Sequence, residues 1–201
     1  MKKKICSIVP RSSRDLQYHP PLCLADLQYC SLLVLIILCI FSLGYAQERE
    51  LPTAPDFTLQ DVDGNTVCLD SLLKKGPVFM SFWALWCKMC IKELDALKPY
   101  YDEFDSLGLQ MLAISQDKAR AVPKVKPFAL SHKWKYVVVL DPDNILRELY
   151  NVQAMPTSFI INQDKKIVFV HQGYKPGDEE IIVKKIHSLV SKDDKNDCKE
   201  K

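Results

Sequence analysis

Two cysteines three residues apart, Cys87 and Cys90 in Trp86-Cys87-Lys88-Met89-Cys90, are the residues of this chain best suited to chemistry. On a helix, positions i and i+3 share a face. That brings two thiols within the Cα separation of about 4.4 to 6.8 Å that a disulfide tolerates, so a small ring can open and close there. If the helix begins at Cys87, its unpaired N–H groups and the positive end of its dipole face the first sulfur and favour the thiolate. Thiols so placed have pKa values lowered from about 8.5 into the range of roughly 3.5 to 7.5. Cys87 is then the attacking sulfur, and Cys90, one turn deeper, resolves the mixed disulfide. A static disulfide or half of a zinc site would use the same two residues. Zinc needs two more Cys or His at comparable short spacing, and His132, His171 and His187 are scattered. A redox dithiol with no metal and no small-molecule cofactor is therefore expected. Trp86, beside the exposed sulfur, either packs inward or forms an apolar lip on which a substrate chain rests; the lip is expected. Glu93, three residues past Cys90, is either a solvated helix acid or a partly desolvated carboxylate able to take the Cys90 proton.

The elements around the dithiol follow from hydrophobic periodicity. Val78 to Ala84 is a nearly continuous apolar run, as in a strand buried on both faces, and it leads directly into the motif. From Cys87 to about Ser106, apolar residues at Cys90, Leu94, Leu97, Tyr101 and Phe104 make one helical stripe. Pro99 inside it predicts a kink near residues 95–99. Upstream, two short alternating runs around Asp61-Val-Asp-Gly64-Asn65 predict a hairpin, followed by one helical turn at Asp70–Leu73. Downstream, strands are predicted at Leu109–Ser115, Tyr136–Leu140, Thr157–Ile161 and Lys166–His171, the last two forming a hairpin across residues 162–164. Helices are predicted at Ala119–His132, broken or started by Pro123 and Pro127, and at Ile145–Tyr150 behind a turn and cap at Asp141–Asn144. A last helix, Asp178–Val190, points Ile181, Ile182, Ile186 and Leu189 inward. Strands alternate with helices and the last two strands pair directly, which is an α/β fold with a mixed central sheet flanked by helices.

A chain of 201 residues with 48% hydrophobic content supplies one domain of common size. Its formal net charge of +2 is near zero. Five basic and two acidic residues lie in the first 46, leaving 22 basic against 23 acidic side chains, so nothing points to nucleic acid. Ser31 to Ala46 has the apolar core and small terminal residues of a signal peptide, with cleavage expected after Ala46. The alternative is an uncleaved signal anchor, but the unbroken run from Leu32 to Phe41 is short of the ~20 residues of a membrane span. Residues 47–54 read as a linker, 55–191 as the domain and 192–201 as a disordered charged tail. Cleavage leaves Cys68, Cys87, Cys90 and Cys198, which fits export with redox chemistry better than export with structural staples. Cys68, in an alternating strand, reads as a small buried hydrophobe.

Three stretches together carry a family resemblance: Ala54-Pro-Asp-Phe-Thr-Leu with Asp63-Gly, Phe82-Trp-Ala-Leu-Trp-Cys-Lys-Met-Cys-Ile-Lys-Glu93, and Ala154-Met-Pro-Thr-Ser-Phe-Ile-Ile-Asn162. From about Leu51 to Ser191 the chain resembles thioredoxin-fold thiol-disulfide oxidoreductases of the TlpA/ResA type. The resemblance implies a thioredoxin-like fold with an N-terminal β-hairpin and a central αβ insertion at Ala119–Leu140. It implies a redox-active Cys87–Cys90 disulfide and a base at Glu93, since Ser81 stands where thioredoxin itself has a buried acid. It also implies a cis bond between Met155 and Pro156, exposing the backbone of residue 155 for strand-like pairing with substrate. Disulfide-bearing envelope proteins as substrates, cytochrome c maturation as one such role, a membrane thiol-disulfide electron donor and a periplasmic or otherwise extracytoplasmic location come from the same resemblance. Two residues depart from the pattern. Met89 replaces the proline usual before the second cysteine, which bears on reduction potential. Asp95 stands where many members have a helix proline, with Pro99 four residues on. The rivals are a peroxiredoxin-like peroxidase, whose reactive cysteine lies in a different local motif, and a metal-binding or copper-delivery module, whose relatives use C-x-x-x-C plus histidine.

Overall fold

Seven short strands join into one sheet in the computed structural model, which describes residues 51–197, with side chains to residue 191. The predicted signal segment and Cys198 lie outside the described residues. In chain order the strands are β1 (Thr58–Asp61), β2 (Thr66–Cys68), β3 (Val78–Trp83), β4 (Gln110–Ser115), β5 (Val137–Leu140), β6 (Thr157–Ile161) and β7 (Ile167–Gln172), and across the sheet they run β2-β1-β5-β4-β3-β6-β7. β3, β4 and β5 are parallel, while β1, β6 and β7 pair antiparallel with their neighbours. The sheet is thus mixed, as the alternation of elements predicts.

All six residues of β3 are buried because helices cover both faces of the sheet. Six helices do this: α1 (Leu69–Leu73), α2 (Lys88–Leu97), α3 (Tyr101–Ser106), α4 (Val122–Ser131), α5 (Ile145–Leu149) and α6 (Asp178–Asp197). Phe79 and Trp83 of β3 face a core shared with Leu94 of α2, Phe104 of α3, Val125 of α4 and Ile182 of α6. Val78, Met80 and Phe82 face the opposite core, with Leu72 of α1 and Leu146 of α5. The period-2 alternation of a strand divides the two cores. α4 and β5 are the predicted insertion, placed at the open side of β4.

Five local expectations change. The long motif helix is divided by a 3-10 turn at Lys98–Tyr100 containing Pro99, so the break falls at the C-terminal end of the predicted interval. The proline has no N–H for the α-helical ladder and suits the start of a new turn. In α6, Ile181 is 49% exposed while Val183 and Val190 are buried beside Ile182 and Ile186. These are the i, i+1, i+4, i+8 positions of one face, and periodicity alone does not fix which flank of a branched-residue cluster turns inward. α6 also runs on to Asp197, past the predicted end at Val190. No proline or glycine stands there to stop it, and helix propagation needs no apolar face. Cys68, at the end of the edge strand β2, is half-buried and its thiol donates to Ser71 Oγ at 2.9 Å, so it is not a core hydrophobe. At the predicted cap before α5, Asn144 adopts left-handed backbone (φ 58) without capping, and Asp141 Oδ2 accepts from the Arg147 N–H instead.

The loops entering β3 and β4 meet backbone to backbone. A Cβ on Gly76 would lie 2.1 Å from the Gly108 carbonyl oxygen. Gly76→Ala is expected to lower stability by about 3 kcal/mol in urea denaturation, since a backbone atom cannot swing aside as a side chain can. A loss below about 1 kcal/mol would mean the two loops separate at little cost.

Candidate active site

The loop leaving β3 turns into α2 through Cys87, the residue preceding its first helical position. Cys87 Sγ accepts the Cys90 N–H at 3.3 Å, so one of the unpaired amides of the first turn is aimed at this sulfur. The two cysteines form a disulfide with a Cα separation of 5.3 Å, within the expected range. Their environments differ. Cys90 is fully buried, whereas Cys87 keeps 8% exposure. Trp86 is 70% exposed and does not pack inward, and Met89 is also exposed. Met155-Pro156 is cis. Pro156 immediately precedes β6, whose register with β3 sets Thr157 opposite Phe82, one residue from the end of β3. Met155 packs against the core that holds both cysteines.

Glu93 is the most constrained charged group of the site. It is fully buried on α2, one turn beyond Cys90 on the same face. Ser81 Oγ of β3 donates to its carboxylate at 2.7 Å, and Ser158 Oγ of β6 lies 3.0 Å from both oxygens. Burial pushes the Glu93 carboxyl up to about 7; the two serines pull it down, and the Asp178 carboxylate adds to the rise. The group therefore changes protonation near neutral pH, as a proton acceptor for a thiol requires. Ser81 thus belongs to a cradle for the glutamate besides marking where an acid is absent. Ser158 escaped the sequence reading. Its signal, shared with Ser81, is a lone serine within a fully buried strand.

Asp117, just past β4, also escaped it. Its buried carboxylate accepts the Leu85 N–H at 3.0 Å and the Ser115 hydroxyl at 3.0 Å, and so ties the loop before the dithiol to the end of β4. Asp95 is an anchor too: it accepts Trp134 Nε1 at 2.8 Å and lies 3.0 Å from His132 Nδ1, joining α2 to the end of α4. Among the described residues, no cluster of three or more His, Cys, Asp or Glu is arranged to hold a metal, and no helix is long and apolar enough to cross a membrane.

The profile of the AhpC/TSA family matches residues 52–170. The chain belongs to the AhpC/TSA family. This member is 34% identical to the thiol-disulfide oxidoreductase ResA of Bacillus subtilis (strain 168) over 144 residues, covering 72% of this chain and 78% of ResA. Its fold matches that of a putative thiol:disulfide interchange protein DsbE from Chlorobium tepidum with a TM-score of 0.64 at 27% identity, covering 70% of this chain and 97% of the other. It also matches the peroxidoxin BcpB of Mycobacterium tuberculosis with a TM-score of 0.60 at 25% identity, over 70% and 95% of the two chains. This AhpC/TSA member is a thiol-disulfide oxidoreductase of thioredoxin-like fold. Proteins carrying disulfides are the substrates that this activity implies.

Proposed function

We propose that the chain is an extracytoplasmic protein disulfide reductase working through Cys87, Cys90 and Glu93. The Cys87 thiolate attacks a substrate disulfide, forming a Cys87–substrate bond and releasing the substrate's other sulfur as a thiolate. Cys90 gives its proton to Glu93, and the Cys90 thiolate attacks Cys87 Sγ. The second substrate sulfur leaves, and the Cys87–Cys90 disulfide remains. Substrate has gained two electrons and the enzyme has lost two; a membrane thiol-disulfide donor returns them. Trp86 and the backbone of Met155 hold the substrate segment, the first as an apolar lip and the second by strand-like pairing. The observation carrying this assignment is the fully buried Glu93 carboxyl, pushed up to about 7, one turn from a fully buried Cys90. Export rests on the signal-like segment ending at Ala46, and maturation of cytochrome c is one role such a reductase fills.

Reduction of insulin disulfides tests the assignment against its rivals. With dithiothreitol as donor, the protein is expected to accelerate insulin reduction catalytically. Stoichiometric Cu(I) or Zn(II) binding without insulin turnover would replace the reductase with a metal module. Hydrogen peroxide consumption outpacing insulin reduction would favour the peroxidase suggested by the likeness to BcpB.

A further inference from the structure

α4 turns an apolar face away from the sheet. Val125 and Ala129 are its buried positions, and on the other side Pro123, Lys126, Pro127 and Leu130 recur at helical spacing. With Val122 they form one wall of a groove of about 500 Å3, whose other wall is Val62, just past β1, and Leu140 at the end of β5. Leu130 is 64% exposed. The two prolines lose no rotamer freedom when covered, so burying this wall carries little entropic cost. Val62 and Leu140 pack against the core that holds both cysteines. Leu140 stands opposite Ser115, and Ser115 opposite Trp83, the last residue of β3 before the dithiol loop. With strands about 4.8 Å apart, Leu140 lies roughly 10 Å from Trp83, at the end of the sheet from which that loop leaves.

The segment that builds the α4 wall is basic. Residues 118–135 hold Lys118, Arg120, Lys124, Lys126, Lys133 and Lys135 and no acid, although the chain after residue 46 is balanced in charge. All six are exposed. Lys126 lines the groove and pairs with Asp63, next to Val62; Lys135 pairs with Asp102. Lys118, Arg120, Lys124 and Lys133 have no ion-pair partner among the described residues, and Lys124 and Lys133 flank the lining residues Pro123 and Leu130 in the chain. This combination selects among occupants. A second copy would set one basic segment against the other, because a symmetric interface uses the same patch twice and like charges repel. A bilayer takes up protruding apolar side chains, whereas a groove between two elements receives one. An acidic polypeptide segment with an apolar side chain matches both the charge and the concavity.

We propose that this groove binds an acidic, apolar-bearing segment of the disulfide substrate, so that the enzyme favours acidic proteins among those its dithiol can reduce. The link to catalysis rests on the reductase reading; the binding rests on the groove alone. An extended chain advances about 3.3 Å per residue, which places the segment roughly four to eight residues from the attacked cysteine. No residue of the groove touches the sulfurs, so its effect falls on KM and not on kcat.

The test uses the full chain and two synthetic peptides with the same disulfide loop, one flanked by glutamates and leucines, the other with lysines in place of the glutamates. Labelled versions with serine for cysteine report binding to the oxidised protein by fluorescence anisotropy. The acidic peptide is expected to bind about tenfold more tightly, a margin that shrinks in about 0.5 M salt. The double variant Lys124→Glu, Lys133→Glu should bring the two Kd values within about threefold, and Leu130→Ser should weaken the acidic peptide about threefold. Equal Kd values in the parent protein, or an unchanged margin in the double variant, overturn the groove. Displacement of the peptide by phosphatidylglycerol vesicles overturns it too, by making lipid the occupant. In parallel, KM for the disulfide peptides should follow Kd, while a peptide with a neutral serine-glycine flank is reduced equally by parent and variants, which checks folding and the dithiol. Preferential binding with equal kcat/KM overturns the substrate assignment. Preferential binding with no reduction of any peptide leaves the groove standing and removes the reductase reading.

Discussion

A Cys90→Ala variant should remain covalently joined to its substrates through Cys87. With Cys90 present, the mixed disulfide is short-lived because the resolving sulfur, one helical turn away at a Cα separation of 5.3 Å, needs no diffusion to attack. Without it, release must await an external thiol, so adducts that normally turn over accumulate. The burial difference makes the experiment directional: Cys87 is the residue that keeps some exposure and Cys90 the fully enclosed one. The reciprocal Cys87→Ala variant should therefore form few or no adducts and lose essentially all insulin reduction, a fall of at least roughly 1,000-fold in rate when the attacking nucleophile is removed. Non-reducing electrophoresis followed by mass spectrometry of the trapped species reads both outcomes. Adducts on Cys90 of the Cys87→Ala protein at the yield seen with Cys90→Ala would reverse the assignment of nucleophile and resolver. The adducts on Cys87 would also identify substrate and electron donor.

Replacing Glu93 by glutamine should move activity and stability in opposite directions. Loss of the proton acceptor is expected to slow Cys90 resolution roughly 100-fold, the usual scale for general-base catalysis, and to flatten its pH dependence around neutrality. The stability effect follows from linkage. The Glu93 carboxyl is pushed up to about 7 from an ordinary value of 4.5, so between those pH values the folded chain holds a proton that the unfolded chain has released. Its stabilising contribution is complete below pH 4.5, is lost as pH rises, and above 7 the ionised, buried carboxylate costs about 3 kcal/mol. Glutamine keeps an acceptor oxygen for Ser81 and Ser158 and never ionises. Glu93→Gln should thus match the parent at pH 4 and exceed it by up to about 3 kcal/mol at pH 8 in denaturant titrations. Equal stability at both pH values would mean that the folded state compensates the Glu93 charge, which removes its case as a neutral-range base. A stability gain bought with lost activity is the pattern expected where function needs a strained group.

Local signals carried far in this chain. The dithiol, its helical phase, the doubly buried strand β3 and the mixed sheet depend on spacing and period within short windows, and these survive folding because an i, i+3 pair lies on one face in any helix. The break at Pro99 is likewise a property of one residue without an N–H. The misplaced inward face of α6 has a tertiary cause: with Ile181, Ile182 and Val183 adjacent, the rotational phase of the helix is set by the core it packs on, and Ile181 turns outward. Cys68 became half-buried because β2 is an edge strand, which only the strand order reveals.

The cysteine pair therefore belongs to what the sequence by itself determined, together with the expectation that Glu93 serves it. Sequence left Glu93 divided between a solvated acid and a desolvated base, since burial of one helix position depends on what the sheet places beneath it. Tertiary structure decided its burial by setting Ser81 and Ser158 beneath the carboxylate on strands 77 residues apart in the chain. It also brought Asp117 back to the Leu85 amide and Asp178 to within 3.4 Å of His171 Nε2. Each of these contacts joins residues from different elements, and the chemistry of a buried carboxyl is set by its neighbours in space. Spacing located the sulfurs; strand register made the buried surroundings of the carboxyl one turn beyond them.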